Sequence, residues 1–235
     1  MKKAVIFDLF GTLVDIFSRA EYTRVLEDMA EQLGTSVEAF SRAWIALGEA
    51  RTTGRLDSPR GSVLAACKSL GVEATSGQID SACAARYDYY KRNLKPRRDA
   101  ETAIRDLKSA GYLTGLISNC ATELLGCWHD IPLAALIDFP VFSCEEHIKK
   151  PDARIFQICC RGLGVSPSES FYVADGDSGE LAAATSLGMT ALRIRAEYET
   201  EDALRDREEG WPGPTFFSLT QVIDSILSHD AEATE

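Results

Sequence analysis

The chain has 235 residues, 45% hydrophobic and 26% charged, with 17 glycines and 8 prolines. This excludes disordered, collagen-like and disulfide-scaffold chains, and leaves one large globular domain or a core carrying an insertion. Lysine and arginine total 25 against 36 acids, a net charge of −11, and a field of that sign repels nucleic-acid backbones and anionic lipid, so neither is expected as a partner.

Ala4-Val5-Ile6-Phe7 is a compact apolar run stopped by Asp8, too short for a signal-peptide core and of the kind that forms a buried strand. No later stretch offers about eighteen uncharged apolar residues, so no membrane span is expected. The 7 cysteines are odd in number and contain no C-x-x-C pair, which fits free thiols in a reducing cytoplasm better than disulfides or a zinc site.

From about Ser18 to Lys95 the texture changes to four successive helical stripes with no strand-like run. Tyr22, Val25, Leu26, Met29 and Leu33 form the first, closed by Gly34. Thr35 with Glu38 resembles a capping box before Val37, Phe40, Trp44 and Leu47. Ser58-Pro59 opens the third, and Ile79, Cys83, Tyr87 and Tyr90 mark the last. Aromatics at this spacing, Trp44 and Tyr87 among them, are expected in the core rather than in a pocket. Gly48 to Arg55 interrupts two helices and has the cationic, mobile character of a substrate-facing loop.

Beyond this module, Tyr112–Ile117, Val141–Phe142, Phe171–Ala174 and Thr190–Ile194 read as further strands. Between them run helical patterns, Ala103, Ile104 and Leu107 before Gly111, and Ile155, Phe156 and Cys159 before Gly162. Strand alternating with helix predicts an α/β fold, a doubly wound Rossmann-like parallel sheet with an inserted α-helical module. Glu197 to Glu209 reads as a solvated acidic loop or helix face, and Ala231 to Glu235 as a frayed end.

Ligands of open parallel sheets bind beyond the carboxyl ends of the strands. The polar residues there are Asp8 in Asp8-Leu9-Phe10-Gly11-Thr12-Leu13, Ser118 before Asn119, Lys150 in Lys149-Lys150-Pro151-Asp152, and Asp175, followed by Asp177 and Glu180. Singly each has an ordinary reading as a turn cap, surface lysine or helix-end charge. In order and at equivalent strand ends they make one constellation.

In that constellation the sequence resembles the haloacid dehalogenase superfamily of hydrolases, whose four ordered motifs match Asp8 to Thr12, Ser118, Lys150 and Asp175 to Glu180. The resemblance implies a catalytic core of residues 1–15 and 96–235, closed by a helical cap of residues 16–95. Asp8 would be the nucleophile, forming a covalent intermediate that water breaks down. Lys150 would neutralise charge between Asp8 and the substrate. Thr12, Ser118 and Asn119 would bind the transferring group, and Arg51 or Arg55 a substrate carboxylate or second phosphate. Asp8, the Phe10 carbonyl, Asp175 and Glu180 would hold Mg²⁺, with Asp177 able to share that role.

One departure matters more than the matches. Phosphatases of this family usually carry a second Asp two residues after the nucleophile to protonate the leaving group, and this chain has Phe10. General acid catalysis is worth about 10² to 10⁴ in rate, so alkyl phosphates should suffer more than substrates with good leaving groups. His147 is one candidate substitute. The family's 2-haloacid dehalogenases carry an aromatic residue there and need no metal, but their fourth motif has a single Asp, against three carboxylates here. The expectation is a Mg²⁺-dependent phosphatase of a small metabolite, with a metal-independent 2-haloacid dehalogenase or a non-catalytic binding protein as the alternatives. The substrate would be a small phosphorylated or halogenated molecule, and the assembly a monomer or homodimer.

Overall fold

In a computed structural model of the chain, residues 2–195 and 210–232 are described. The acidic run from Glu197 to Glu209 lies outside them, as do residues 233–235 of the tail. The first strand, β1 (Ala4–Phe7), is followed by five helices: α1 (Arg19–Gln32), α2 (Val37–Ala46), α3 (Gly48–Thr52), α4 (Pro59–Leu70) and α5 (Ser76–Asn93). Then come α6 (Ala100–Ser109), β2 (Leu113–Ser118), α7 (Leu125–Trp128), β3 (Phe139–Phe142), α8 (Ser143–Glu146) and α9 (Ala153–Leu163). The chain ends with β4 (Ser170–Ala174), α10 (Glu180–Ser186), β5 (Thr190–Ile194), β6 (Thr215–Phe216) and α11 (Leu219–Glu232).

The strands form one parallel sheet in the order β3-β2-β1-β4-β5-β6. Successive residues of β1 face opposite sides. Val5 and Phe7 join the core shared with Ile104, Leu107, Val222 and Ile226 of α6 and α11. Ala4 and Ile6 join that shared with Ile155, Phe156 and Leu181 of α9 and α10. Burial on both faces is why β1 reads as an unbroken apolar run, and each large side chain so buried contributes about 1.5–3 kcal/mol.

In the insertion, α1 packs on α2 and α5, and α4 on α2 and α5. Trp44 is fully buried, as the helical spacing predicted. The chain leaves and rejoins the sheet side by side: Val14 bridges Pro96, and Arg97 N donates to Leu13 O at 2.9 Å.

Several boundaries differ from the sequence reading. Ser36, not Thr35, caps α2, its hydroxyl accepting from Ala39 N at 3.2 Å. The helix expected to stop at Gly162 runs through it to Gly164, whose φ of 70° closes it. Gly162 is there for packing, since a Cβ would sit 2.3 Å from the Phe139 ring. The stretch expected to be a mobile loop at Gly48 begins with the short helix α3, and Arg51 is buried in it. The edge strand β6 was not anticipated; two residues are too few to show a period.

Candidate active site

β1 lies between β2 and β4, and the crevice beyond their carboxyl ends gathers the predicted residues. Asp8 follows β1 directly and is 1% exposed; its backbone N–H donates to Val173 O at 2.9 Å. One carboxylate oxygen, Oδ1, accepts from Lys150 Nζ at 2.5 Å, and the other, Oδ2, from Thr12 Oγ1 at 3.1 Å.

Lys150 reaches in from the turn before α9. Its ammonium also meets Ile117 O at 3.0 Å, Tyr172 Oη at 3.2 Å and Glu180 Oε2 at 2.6 Å. Burial pushes this amine down, but Asp8 and Glu180 outweigh it and leave Lys150 above its ordinary range. Asn119 holds the backbone of Lys150 from both sides, its Oδ1 accepting from Lys150 N at 2.8 Å and its Nδ2 donating to Lys150 O at 3.1 Å. Ser118, the last residue of β2, is buried with its Oγ unpartnered.

After β4 the chain turns through left-handed positions, Gly176 at φ 96°, Ser178 at 58° and Gly179 at 69°, and this turn brings Glu180 back into the crevice. Glu180 is 1% exposed; Oε1 accepts from Gly176 N at 3.3 Å and Oε2 from Tyr172 Oη at 2.7 Å. Burial pushes its carboxyl up to about 8, with Lys150 opposing and Asp8 and Asp175 adding. Asp175 lies against Gly11, where a Cβ would stand 2.2 Å from its Oδ2.

Asp8, Asp175 and Glu180 each offer a carboxylate oxygen, all within 4.8 Å of one another. Lys150 bonds two of the three acids, and three hard oxygen donors gathered so closely fit a divalent cation such as Mg²⁺. Asp177 is not part of that group; its carboxylate accepts from Ser178 Oγ at 3.0 Å.

Beside this cluster is a cavity of about 190 Å³ whose lining includes Phe10, Phe17, Arg51, Arg86, Tyr90 and Asn119. The Phe10 ring packs against Phe17 and Tyr90 at centroid distances of 4.8 and 6.4 Å. Arg51 stacks on Trp44, 4.0 Å from the ring centroid. Arg86 reaches Glu123 Oε1 through Nε at 3.1 Å, with both side chains buried. Arg55 is not brought to the cavity; it is exposed and stands 3.5 Å from Glu49. His147 is likewise exposed, its Nδ1 3.0 Å from Thr53 O.

Sequence reasoning missed three participants. Tyr172 lay inside an apolar strand run, and Arg86 and Glu123 are 37 positions apart on different elements. A polar hydroxyl in a run otherwise buried on both faces was the one available signal. The seven cysteines are all free, with Cys120 and Cys144 Sγ atoms 3.9 Å apart. Among the described residues no helix is long and apolar enough to cross a membrane.

A family model described as haloacid dehalogenase-like hydrolase matches residues 2–188. The (S)-2-haloacid dehalogenase 4A of Burkholderia cepacia is 28% identical over 228 residues, covering 89% of this chain and 94% of its own. The glyceraldehyde 3-phosphate phosphatase of Methanopyrus kandleri is also 28% identical, over 216 residues, covering 88% and 90%. Among solved structures, the 2-haloacid dehalogenase from Pseudomonas syringae pv. Tomato DC3000 shares the fold with a TM-score of 0.70 at 21% identity, covering 97% of this chain and 99% of that one.

Proposed function

The chain belongs to the haloacid dehalogenase-like hydrolases, and within that family we propose that it is a Mg²⁺-dependent phosphatase of a small metabolite, working through an aspartyl-phosphate on Asp8. The observation that carries this reading is the cluster of Asp8, Asp175 and Glu180 within 4.8 Å of one another, two of which, Asp8 and Glu180, are bonded by Lys150. Buried like charges at such distances are costly unless a further cation is shared among them.

In this reading Asp8 attacks phosphorus, the leaving group departs as its oxyanion, and water then cleaves the aspartyl-phosphate to inorganic phosphate and the free Asp8 carboxylate. Lys150 offsets the charge of carboxylate and phosphoryl group as they approach. The free Ser118 hydroxyl and Thr12 bind phosphoryl oxygens. Mg²⁺, held by the three carboxylates and the Phe10 carbonyl, would supply charge neutralisation at the phosphoryl group. Residues 1–15 and 96–235 act as the catalytic core, and residues 16–95 as a cap that excludes water. Phe10 gives no proton, so the favoured substrates are those whose leaving group is stable as an anion.

Phe10 also favours a second reading, hydrolysis of a 2-haloacid through the same Asp8, since halide needs no proton to leave; the dehalogenase relative supports it equally. Hydrolysis of an activated aryl phosphate with Mg²⁺ and with EDTA, beside an Asp8→Asn control, separates the two. Metal-dependent turnover lost in the control is the expected result. Halide release from 2-haloacids in EDTA, with aryl phosphate untouched, would overturn the phosphatase reading in favour of the second.

A further inference from the structure

The aromatic cavity contains more positive charge than the fold uses. Arg51 and Arg86 line it and are only 6% and 3% exposed. Glu123 meets Arg86 through Nε, whereas Arg86 Nη1 and Arg51 Nε have no partner. Among the described residues no acid lines the cavity. A buried guanidinium without a carboxylate is expensive, and the cost is recovered when a ligand supplies the missing acceptor.

We infer that this cavity is a carboxylate subsite, in which Arg51, with Arg86 beside it in the lining, receives the acid group of a substrate only a few carbons long. One unneutralised cation calls for a monoanion, which a carboxylate is and a phosphate monoester is not. The planar group suits a slot walled by the rings of Phe10, Phe17 and Tyr90. At about 190 Å³ the space is below the roughly 300–1,000 Å³ that holds drug-sized ligands. Asn119 and Phe10 belong both to this slot and to the segments carrying Asp8 and Ser118, so a bound acid would lie next to the reacting end. Joined to the phosphatase reading, on which this part of the inference rests, the substrate class is a phosphorylated short-chain carboxylic acid. The subsite itself would serve a 2-haloacid as well.

The test is a pair of binding comparisons read by calorimetry. Phosphonoacetate is titrated against ethylphosphonate, which replaces the carboxylate with a methyl group, into the intact protein with Mg²⁺. Then 2-chloropropionate is titrated against 2-chloropropanamide into the Asp8→Asn variant, which cannot turn it over. A charge-assisted bidentate contact predicts a preference of about 10- to 100-fold for phosphonoacetate, abolished by Arg51→Gln while ethylphosphonate binding stays unchanged. A preference confined to the chlorinated pair and dependent on Arg51 upholds the subsite and defeats the phosphatase reading. Absence of preference in both pairs, or a preference that survives Arg51→Gln, overturns the inference. Should Arg51→Gln not fold, Arg51→Lys retains the charge without the two-pronged geometry, and an undiminished preference there is equally fatal.

Discussion

Replacing Gly11 with alanine probes the crevice without touching a functional side chain. Gly11 has φ +83°, and a Cβ there would stand 2.2 Å from Asp175 Oδ2 and 2.9 Å from its Cγ. An ordinary contact is 3.4 Å or more, so the carboxylate must retreat by roughly 1 Å, and a misplacement of that size can cost about 10²-fold in rate. The left-handed backbone adds about 1–2 kcal/mol of strain for a residue with a Cβ. Gly111 provides the control, with φ +89° and nothing within 4 Å of a Cβ. Denaturant unfolding should show a similar strain penalty in Gly11→Ala and Gly111→Ala. Only Gly11→Ala should lose about 10²-fold in kcat/KM for an aryl phosphate and bind Mg²⁺ more weakly by calorimetry. Equal turnover in the two variants would refute the placement of Asp175 at the reacting centre.

Phe10→Asp removes a ring packed on Phe17 and Tyr90, and by comparison with other buried aromatic truncations should lower stability by about 3–5 kcal/mol in chemical denaturation. If the folded fraction gains nothing on alkyl phosphates, where a restored proton donor is worth about 10²- to 10⁴-fold, leaving-group protonation is not what Phe10 withholds. At Asp138 burial pushes the carboxyl up, but bonds from Lys108 and Thr114 outweigh it and the net shift is downward. The stability so gained is present above the unfolded carboxylate range and is lost as pH falls through the folded value. Asp138→Asn should therefore cost about 1 kcal/mol at neutral pH and converge with the parent protein once pH has fallen below the ordinary carboxylate range; a gap that persists in acid would contradict the assignment.

The catalytic end was legible because each of its groups stands where a strand stops. Asp8, Ser118 and Asp175 each close an apolar run, and a polar residue at that junction is visible without knowledge of the sheet order. The cavity was less legible for the opposite reason. Arg51 sits in a segment with the polarity of a surface loop, and its burial comes from Trp44, seven positions earlier and one helix away. Helical spacing correctly assigned Trp44 to the core but gave no hint that its exposed face would be covered by a guanidinium. The pairing of Arg86 with Glu123 joins α5 to the segment after β2, a juxtaposition that only the closed fold creates. Thr35 resembles a cap because Glu38 follows it at capping-box spacing, yet the hydroxyl that caps α2 is that of Ser36, one residue on; both are competent, and helix register decides between them.

The Arg86–Glu123 bond also bears on how a ligand enters. Any motion that lifts α5 from the segment after β2 parts two charges that are 4% and 0% exposed. In a dry interior that separation is prohibitive, so the cleft must wet as it opens, with water reaching Glu123 while Arg86 withdraws. On the proposed function, substrate exchange would thereby be tied to hydration. One water is a reactant there and bulk water is not, and the rings of Phe17 and Tyr90, 5.5 Å apart in the cavity wall, are apolar surface that would limit how much solvent stays when the cleft shuts.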